Sequence, residues 1–391
     1  LAMTYGAARS GRNFVLPAQN AAEAALVKEA TVYSATSLLQ LCAHLRGNEP
    51  LHPYQATIDE PSPTTGSAYQ NMSDVKGQSQ AKRALEIAAA GGHSVLMMGP
   101  PGTGKSMLAR CVPGILPSMT EQEALESAAM QSLANGSFDL ANWKRRPFRA
   151  PHHTASAVAL VGGSSIPRPG EISLALHGVL FLDELPEFDR RVLEVLREPL
   201  ETGMITISRA AQRANFPARF QLVAAMNPCP CGYYNHPEMD CVCGPGIVQK
   251  YLNKISGPLL DRIDIQIEVP RVEFRDMIKD QTGEGSEEIR MRVHKARMTQ
   301  LNRFKKNDLF FNAHMDTKEI KQFCRINNEG NKLLEMAVNK LGFSARAYTR
   351  VLKVARSIAD LEGAEEISPA HLSEAIQYLS LIHISEPTRP Y

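Results

Sequence analysis

The sequence predicts an α/β protein, a three-layer αβα core followed by a small all-α domain. Three observations predict it. Short apolar runs that read as buried strands, Ser94–Met98, Val179–Leu182 and Gln221–Met226, alternate with helical patterns at Gln78–Ala90, Ser106–Val112 and Arg190–Leu200. That order implies a parallel sheet covered on both faces. The first strand run passes through a glycine-rich turn, Gly99-Pro100-Pro101-Gly102-Thr103-Gly104-Lys105-Ser106, directly into a helix. After Pro270 the pattern is almost wholly helical as far as Tyr378.

The elements fall in order along the chain. Residues 1–50 hold a strand-like run, Phe14–Leu16, and helical patterns opening at Asn20–Val27 and Ser37–Arg46, the latter apolar at Leu38, Leu41, Ala43 and Leu45. His52–Met72 is rich in Pro, Ser, Thr and Gly around IDEPSPTTGS, so composition sets a linker over 51–72. The core is expected over 73–270, with a hairpin at Ile205–Phe220 ahead of the third strand, and the helical lid over 271–378. The polar run Asp280–Glu288 reads as a loop near the start of the lid. Leu379–Tyr391 loses the helical period and contains two prolines, so it reads as a non-native tail, with a native extension as the alternative. The chain opens at Leu1 without a Met, and an N-terminal truncation is expected.

Composition narrows the class. Hydrophobic residues make up 43% and charged residues 21%, which suits a globular protein. The net charge of +2 does not single out a nucleic-acid binder, yet leaves room for a local basic channel. No stretch approaches the roughly 18 apolar residues of a membrane span, and no signal peptide opens the chain. A cytoplasmic protein without a membrane partner is expected.

Gly99 to Ser106 matches G-x-x-x-x-G-K-[ST] with the strand before it and the helix after it that the motif demands. Its glycines let backbone N–H groups and the helix N-terminus face phosphates. Lys105 would reach the β- and γ-phosphates of ATP, and the Ser106 hydroxyl would hold Mg²⁺. Asp183 and Glu184 end the apolar strand Val179–Leu182. Asp183 suits Mg²⁺ through water, and Glu184 suits polarising the attacking water. Asn227 follows the strand Gln221–Met226, where its amide can orient that water; the alternative is an ordinary turn before Pro228.

Four of the seven cysteines crowd one stretch, Cys229-Pro-Cys231 and Cys241-Val-Cys243. Clustered thiols in a cytosolic chain favour metal over disulfides. A tetrahedral Zn²⁺ on four thiolates would staple the loop, with His236 able to replace one sulfur and a reduced, metal-free loop as the alternative. Cys42, Cys111 and Cys324 stand alone and read as packing residues. His152 and His153, lacking nearby acidic or thiol partners in sequence, read as structural.

Asp74-Val-Lys-Gly-Gln78, GPPGTGKS, FLDE, AAMNPCPCG, SGPLLDRID and FSARAYTR, with FRAPHHTAS and PRPGEISLAL, together resemble the ComM/YifB family of magnesium-chelatase-like AAA+ ATPases over about residues 14–378. The resemblance implies an AAA+ P-loop core with a lid, preceded by a Lon-protease-like domain of which residues 1–50 resemble only the last part. It also implies a homo-hexameric ring that hydrolyses ATP between subunits and acts on DNA, single-stranded or branched, in recombination of incoming DNA. Residue by residue, it implies Asn227 as first sensor, Arg262 in LLDRID as the finger reaching a neighbour's site, and Arg346 in FSARAYTR as second sensor. An ion pair of Arg262 with Asp261 or Asp264 is the ordinary alternative.

A translocating ring needs basic loops at its pore. The candidates are Arg145–Arg149, Pro167–Gly170, and the hairpin arginines Arg209, Arg213 and Arg219; solvated surface or packing against the sheet is the alternative for each. Two other functions share the core: a magnesium-chelatase-type motor driving metal insertion, and a scaffold that binds ATP without turning it over.

Overall fold

The computed structural model describes residues 1–55, 69–163, 167–208, 213–272, 283–305 and 309–379. IDEPSPTTGS, Arg209 and the tail beyond Leu379 lie outside the described residues. The strands, in chain order, are β1 Phe14–Pro17, β2 Val32–Ala35, β3 Val95–Met98, β4 Phe148–Arg149, β5 Val179–Leu182, β6 Met204–Ser208, β7 Arg213–Pro217, β8 Gln221–Met226 and β9 Ile265–Glu268. Five of them form one parallel sheet in the order β4-β5-β8-β3-β9. β1 and β2 pair separately, also in parallel, and β6 and β7 form an antiparallel hairpin.

Every residue of β5 and β8 is buried. This is the burial of a central parallel strand covered on both faces, and it explains the apolar runs Val179–Leu182 and Leu222–Met226. β4 and β9 escape a reading based on apolar runs. β4 has only two residues, and β9 reads Ile-Gln-Ile-Glu because it is an edge strand. The Gln266 N–H donates to the Tyr378 carbonyl at 2.8 Å, so the end of the lid completes that edge.

One expected helix is corrected and one expected loop is shorter. The single helix Arg190–Leu200 is two, Arg190–Glu194 and Arg197–Thr202. Pro199 has no N–H to give the carbonyl of Val195, which breaks the helical ladder between them. Of the polar run expected as a loop, 283–285 lack regular structure, 286–288 already belong to the helix Ser286–Arg303, and 280–282 lie outside the described residues. Its charge serves as a cap, with Glu288 Oε2 accepting the Gly285 N–H at 3.0 Å and Asn71 Oδ1 accepting that of Ser286 at 2.9 Å. The helix Leu38–Leu45 forms but buries none of its residues.

The lid helices Ser286–Arg303 and Ala345–Glu362 pack on the core helix Ser79–Gly91. One hydrophobic cluster runs through both parts, from Leu85, Val95 and Ile265 to Val351, Ile358 and Leu372. His93, fully buried, crosses the join: Nδ1 lies 2.9 Å from Asp264 Oδ2 and Nε2 lies 2.8 Å from Ser357 Oγ of the lid.

Candidate active site

The site forms where β3, β5 and β8 end at the same edge of the sheet. Gly102 and Gly104 take φ of +77° and +85°, which side chains with a Cβ rarely adopt, and this turns the loop into the helix Lys105–Ile115. Lys105 is buried, and its Nζ donates to the carbonyls of Gly99 at 2.7 Å and Pro100 at 2.8 Å and to Asn227 Oδ1 at 3.2 Å. Burial pulls its ammonium below the usual lysine range, with the Asp183 charge opposing.

Ser106 Oγ donates to Asp183 Oδ2 at 2.6 Å, and the other Asp183 oxygen accepts the Glu184 N–H at 3.0 Å. Glu184 sits at φ +52°, a left-handed conformation unusual for a residue with a side chain. Strain of this kind persists where the surroundings fix it, and it turns the Glu184 side chain away from the strand direction. That carboxylate is half-exposed, with Oε2 3.2 Å from His153 Nδ1. His153 stacks at 4.1 Å on His152 and meets the edge of Phe188. His153 was read from sequence as structural; the fold corrects that by giving it an acidic partner 31 positions away in the chain. No local pattern in the sequence marks the pair.

Arg262 and Arg346 lie elsewhere. β3 and β9 are parallel, Val95 beside Ile265 and Met98 beside Glu268. The phosphate loop follows Met98, whereas Arg262 precedes Ile265. The two therefore sit beyond opposite ends of one strand pair, separated by more than the roughly 10 Å length of a four-residue strand. Arg346 is on that same far side, its Nη1 3.7 Å from Asp261 Oδ2, with most of its side chain exposed. Arg350, missed by the sequence reading, approaches the other Asp261 oxygen at 3.6 Å and donates to the Ile263 carbonyl at 2.9 Å. Arg262 pairs with Glu201, not with Asp261 or Asp264, and also donates to the Pro258 carbonyl.

Beyond Asn227 the chain makes the cysteine loop. The sulfurs of Cys229, Cys231, Cys241 and Cys243 all lie within 4.8 Å of one another, three pairs at 3.3, 3.6 and 3.7 Å. A tetrahedral zinc site with Zn–S of about 2.3 Å has sulfurs about 3.8 Å apart, so the donor set fits in number, chemistry and spacing. The Tyr233 N–H, aided by neighbouring thiols, pulls the Cys231 thiol down to about 6. His236 is not a fourth ligand: Nδ1 accepts the N–H groups of Glu238 and Met239, both at 3.1 Å. Cys111 and Cys324 are buried as packing residues, but Cys42 is exposed.

The basic candidates separate. Arg146 is buried on the carbonyls of Pro117 at 2.8 Å and His177 at 2.7 Å, and Arg149 forms a two-point pair with Glu171 at 2.6 and 2.7 Å, so both are structural. Arg219 lies beyond the hairpin's end at Pro217 and stacks over Phe310 at 5.4 Å. Arg213 is exposed on β7, and Arg168 is exposed on a loop bridged between Gly162 and Pro169.

Residues 71–277 match the family described as magnesium chelatase, subunit ChlI, and residues 283–379 match its C-terminal family. Competence protein ComM of Haemophilus influenzae is 48% identical over 97% of this chain and 74% of that protein. YifB of Escherichia coli is 46% identical over 97% of this chain and 74% of that protein. The chloroplastic magnesium-chelatase subunit ChlI of Nicotiana tabacum is 23% identical over 72% of this chain and 66% of that protein. Among the described residues, no helix is long and apolar enough to cross a membrane.

Proposed function

The chain belongs to the ComM/YifB family of magnesium-chelatase-like AAA+ proteins, and from that premise we propose that it is an ATP-hydrolysing, hexameric ring motor acting on DNA. One observation carries the reading: the phosphate-binding half and the arginine half of the site lie at opposite edges of one sheet. In a head-to-tail ring each interface presents two different faces, so the Arg262 and Arg346 face of one copy meets the Lys105 face of the next.

The roles follow from the atoms. Lys105, turning from the carbonyls of Gly99 and Pro100, neutralises the β- and γ-phosphates beside Asn227, whose Oδ1 now accepts from it. The hydroxyl of Ser106 and the carboxylate of Asp183 converge, two hard oxygen donors that suit Mg²⁺ bound with the triphosphate. Magnesium supplies charge neutralisation there. Glu184 takes the proton of the attacking water. Arg262, a permanently charged planar fork, offsets the charge developing on the neighbour's γ-phosphate. The thiolates of the cysteine loop hold Zn²⁺.

His153 is a positioning residue, because its ring touches the carboxylate of the base. His153→Ala is expected to lower kcat about tenfold, toward the low end of what a positioned base contributes. Nucleotide Kd should stay unchanged, and His153→Gln, which keeps a donor, should lose less. Phosphate release and fluorescent-nucleotide binding on the same preparation test this. An unchanged kcat removes the role.

DNA is favoured over a porphyrin-bound partner by the name of the Haemophilus influenzae relative, a competence protein, and by two exposed arginines of the core, Arg168 on a loop and Arg213 on β7. ATP hydrolysis is expected to rise with single-stranded or branched DNA, and the rise should fall steeply with salt because phosphate contacts release counterions. Arg168→Ala with Arg213→Ala should remove that response and spare hydrolysis without DNA. If rings form and DNA changes neither rate nor assembly at low salt, a chelatase-type motor replaces this reading.

A further inference from the structure

The cysteine loop touches the phosphate loop. Gly232, next to Cys231, donates its N–H to the carbonyl of Cys229 at 3.0 Å, with Cys229 Sγ also near at 3.2 Å, and sits at φ +89°. A Cβ on Gly232 would stand 2.5 Å from Cδ and 3.0 Å from Cγ of Pro101, so only glycine lets the two loops close to this distance. The loop's other contacts reach the same site. It leaves β8 directly after Asn227, whose Oδ1 accepts from Lys105, and it returns into the helix Pro245–Leu252. The Tyr251 hydroxyl of that helix lies near the Asn227 backbone. A loop that begins at Asn227, bears on Pro101 and ends at a helix tied back to Asn227 is a frame around one side of the phosphate-binding turn.

The geometry points to a metal-dependent nucleotide site: Zn²⁺ on Cys229, Cys231, Cys241 and Cys243 fixes the loop that holds Pro101 and Asn227, so ATP affinity depends on zinc without zinc touching ATP. The inference rests on the reading of Gly99–Ser106 as the ATP site and adds how that site is held. Residues 229–243 have no regular secondary structure. Four thiolates without a metal give such a loop no rigid centre, whereas metal binding converts its free energy into local order. An ordered turn presents its N–H groups to phosphate without first losing conformational freedom, which is how preorganisation raises affinity.

The test measures zinc by elemental analysis and ATP affinity with a fluorescent ATP analogue, on the full chain. The chain is expected to carry about one zinc. Removing it with a strong chelator should weaken nucleotide binding about tenfold or more, and added Zn²⁺, not Mg²⁺, should restore it. Gly232→Ala keeps all four sulfurs. It should retain zinc and still weaken nucleotide binding, because the new methyl group displaces Pro101; this arm decides the matter if chelation unfolds the chain. Lys105→Ala should lose nucleotide binding and keep zinc. A zinc-free chain as purified, equal affinity with and without zinc, or full affinity in Gly232→Ala overturns the proposal. A zinc-loaded chain that binds no ATP analogue overturns the nucleotide reading instead.

Discussion

Glu184→Gln is expected to bind ATP as the parent chain does and to hydrolyse it about 10²- to 10⁴-fold more slowly, the range a positioned general base contributes. The substitution is nearly isosteric, so it leaves the Ser106–Asp183 contact at 2.6 Å and the Lys105 contacts undisturbed. An amide can still meet His153 but cannot accept the proton of the attacking water. Lys105→Ala should act on the other step and weaken nucleotide binding, because it removes the only side-chain cation in contact with the loop carbonyls of Gly99 and Pro100 among the described residues. Nucleotide binding measured beside phosphate release separates the two. Turnover near the parent rate in Glu184→Gln would sink the assignment of the base.

Arg262→Ala should cost about 10³-fold or more in turnover, the effect of removing an arginine from a phosphoryl-transfer site, with nucleotide binding retained. In the isolated chain Arg262 rests on Glu201 and the Pro258 carbonyl, and its side chain is 11% exposed. To act it must exchange Glu201 for a neighbour's phosphate. That exchange is affordable in free energy, since a carboxylate as exposed as Glu201 holds an arginine only weakly. Mixing Arg262→Ala chains with Lys105→Ala chains, each inactive alone, should restore part of the hydrolysis, because some interfaces then pair an intact pocket with an intact arginine. No recovery in mixed rings confirmed by native mass measurement would place Arg262 outside the site.

How much of this was legible depends on how local each signal is. The phosphate loop needs its glycines, lysine and serine within eight positions, β5 is apolar from end to end and β8 is apolar after Gln221, so sequence shows both and the strand limits agree to the residue. β9 hid because an edge strand tolerates Gln266 and Glu268. The helix Arg190–Leu200 hid its break because an apolar stripe carries across Pro199 unless the missing N–H is counted. The pairing of His153 with Glu184, the partner of Arg262, and the contact of Gly232 with Pro101 are set by how the chain returns to the same sheet edge. Periodicity carries no information on that. Arg146 shows the converse: a basic residue offered as a candidate nucleic-acid contact is packed into the fold, where three carbonyls and Glu123 take its donors.

The junction at His93 has a thermal consequence. With Asp264 on one ring nitrogen and Ser357 on the other, and with one apolar cluster continuous from Val95 to Leu372, separating the lid from the core would expose both the cluster and a buried acid. The two parts matched at 71–277 and 283–379 are therefore expected to melt together. Scanning calorimetry should record them as a single cooperative transition, with the calorimetric and van't Hoff enthalpies in agreement for that step.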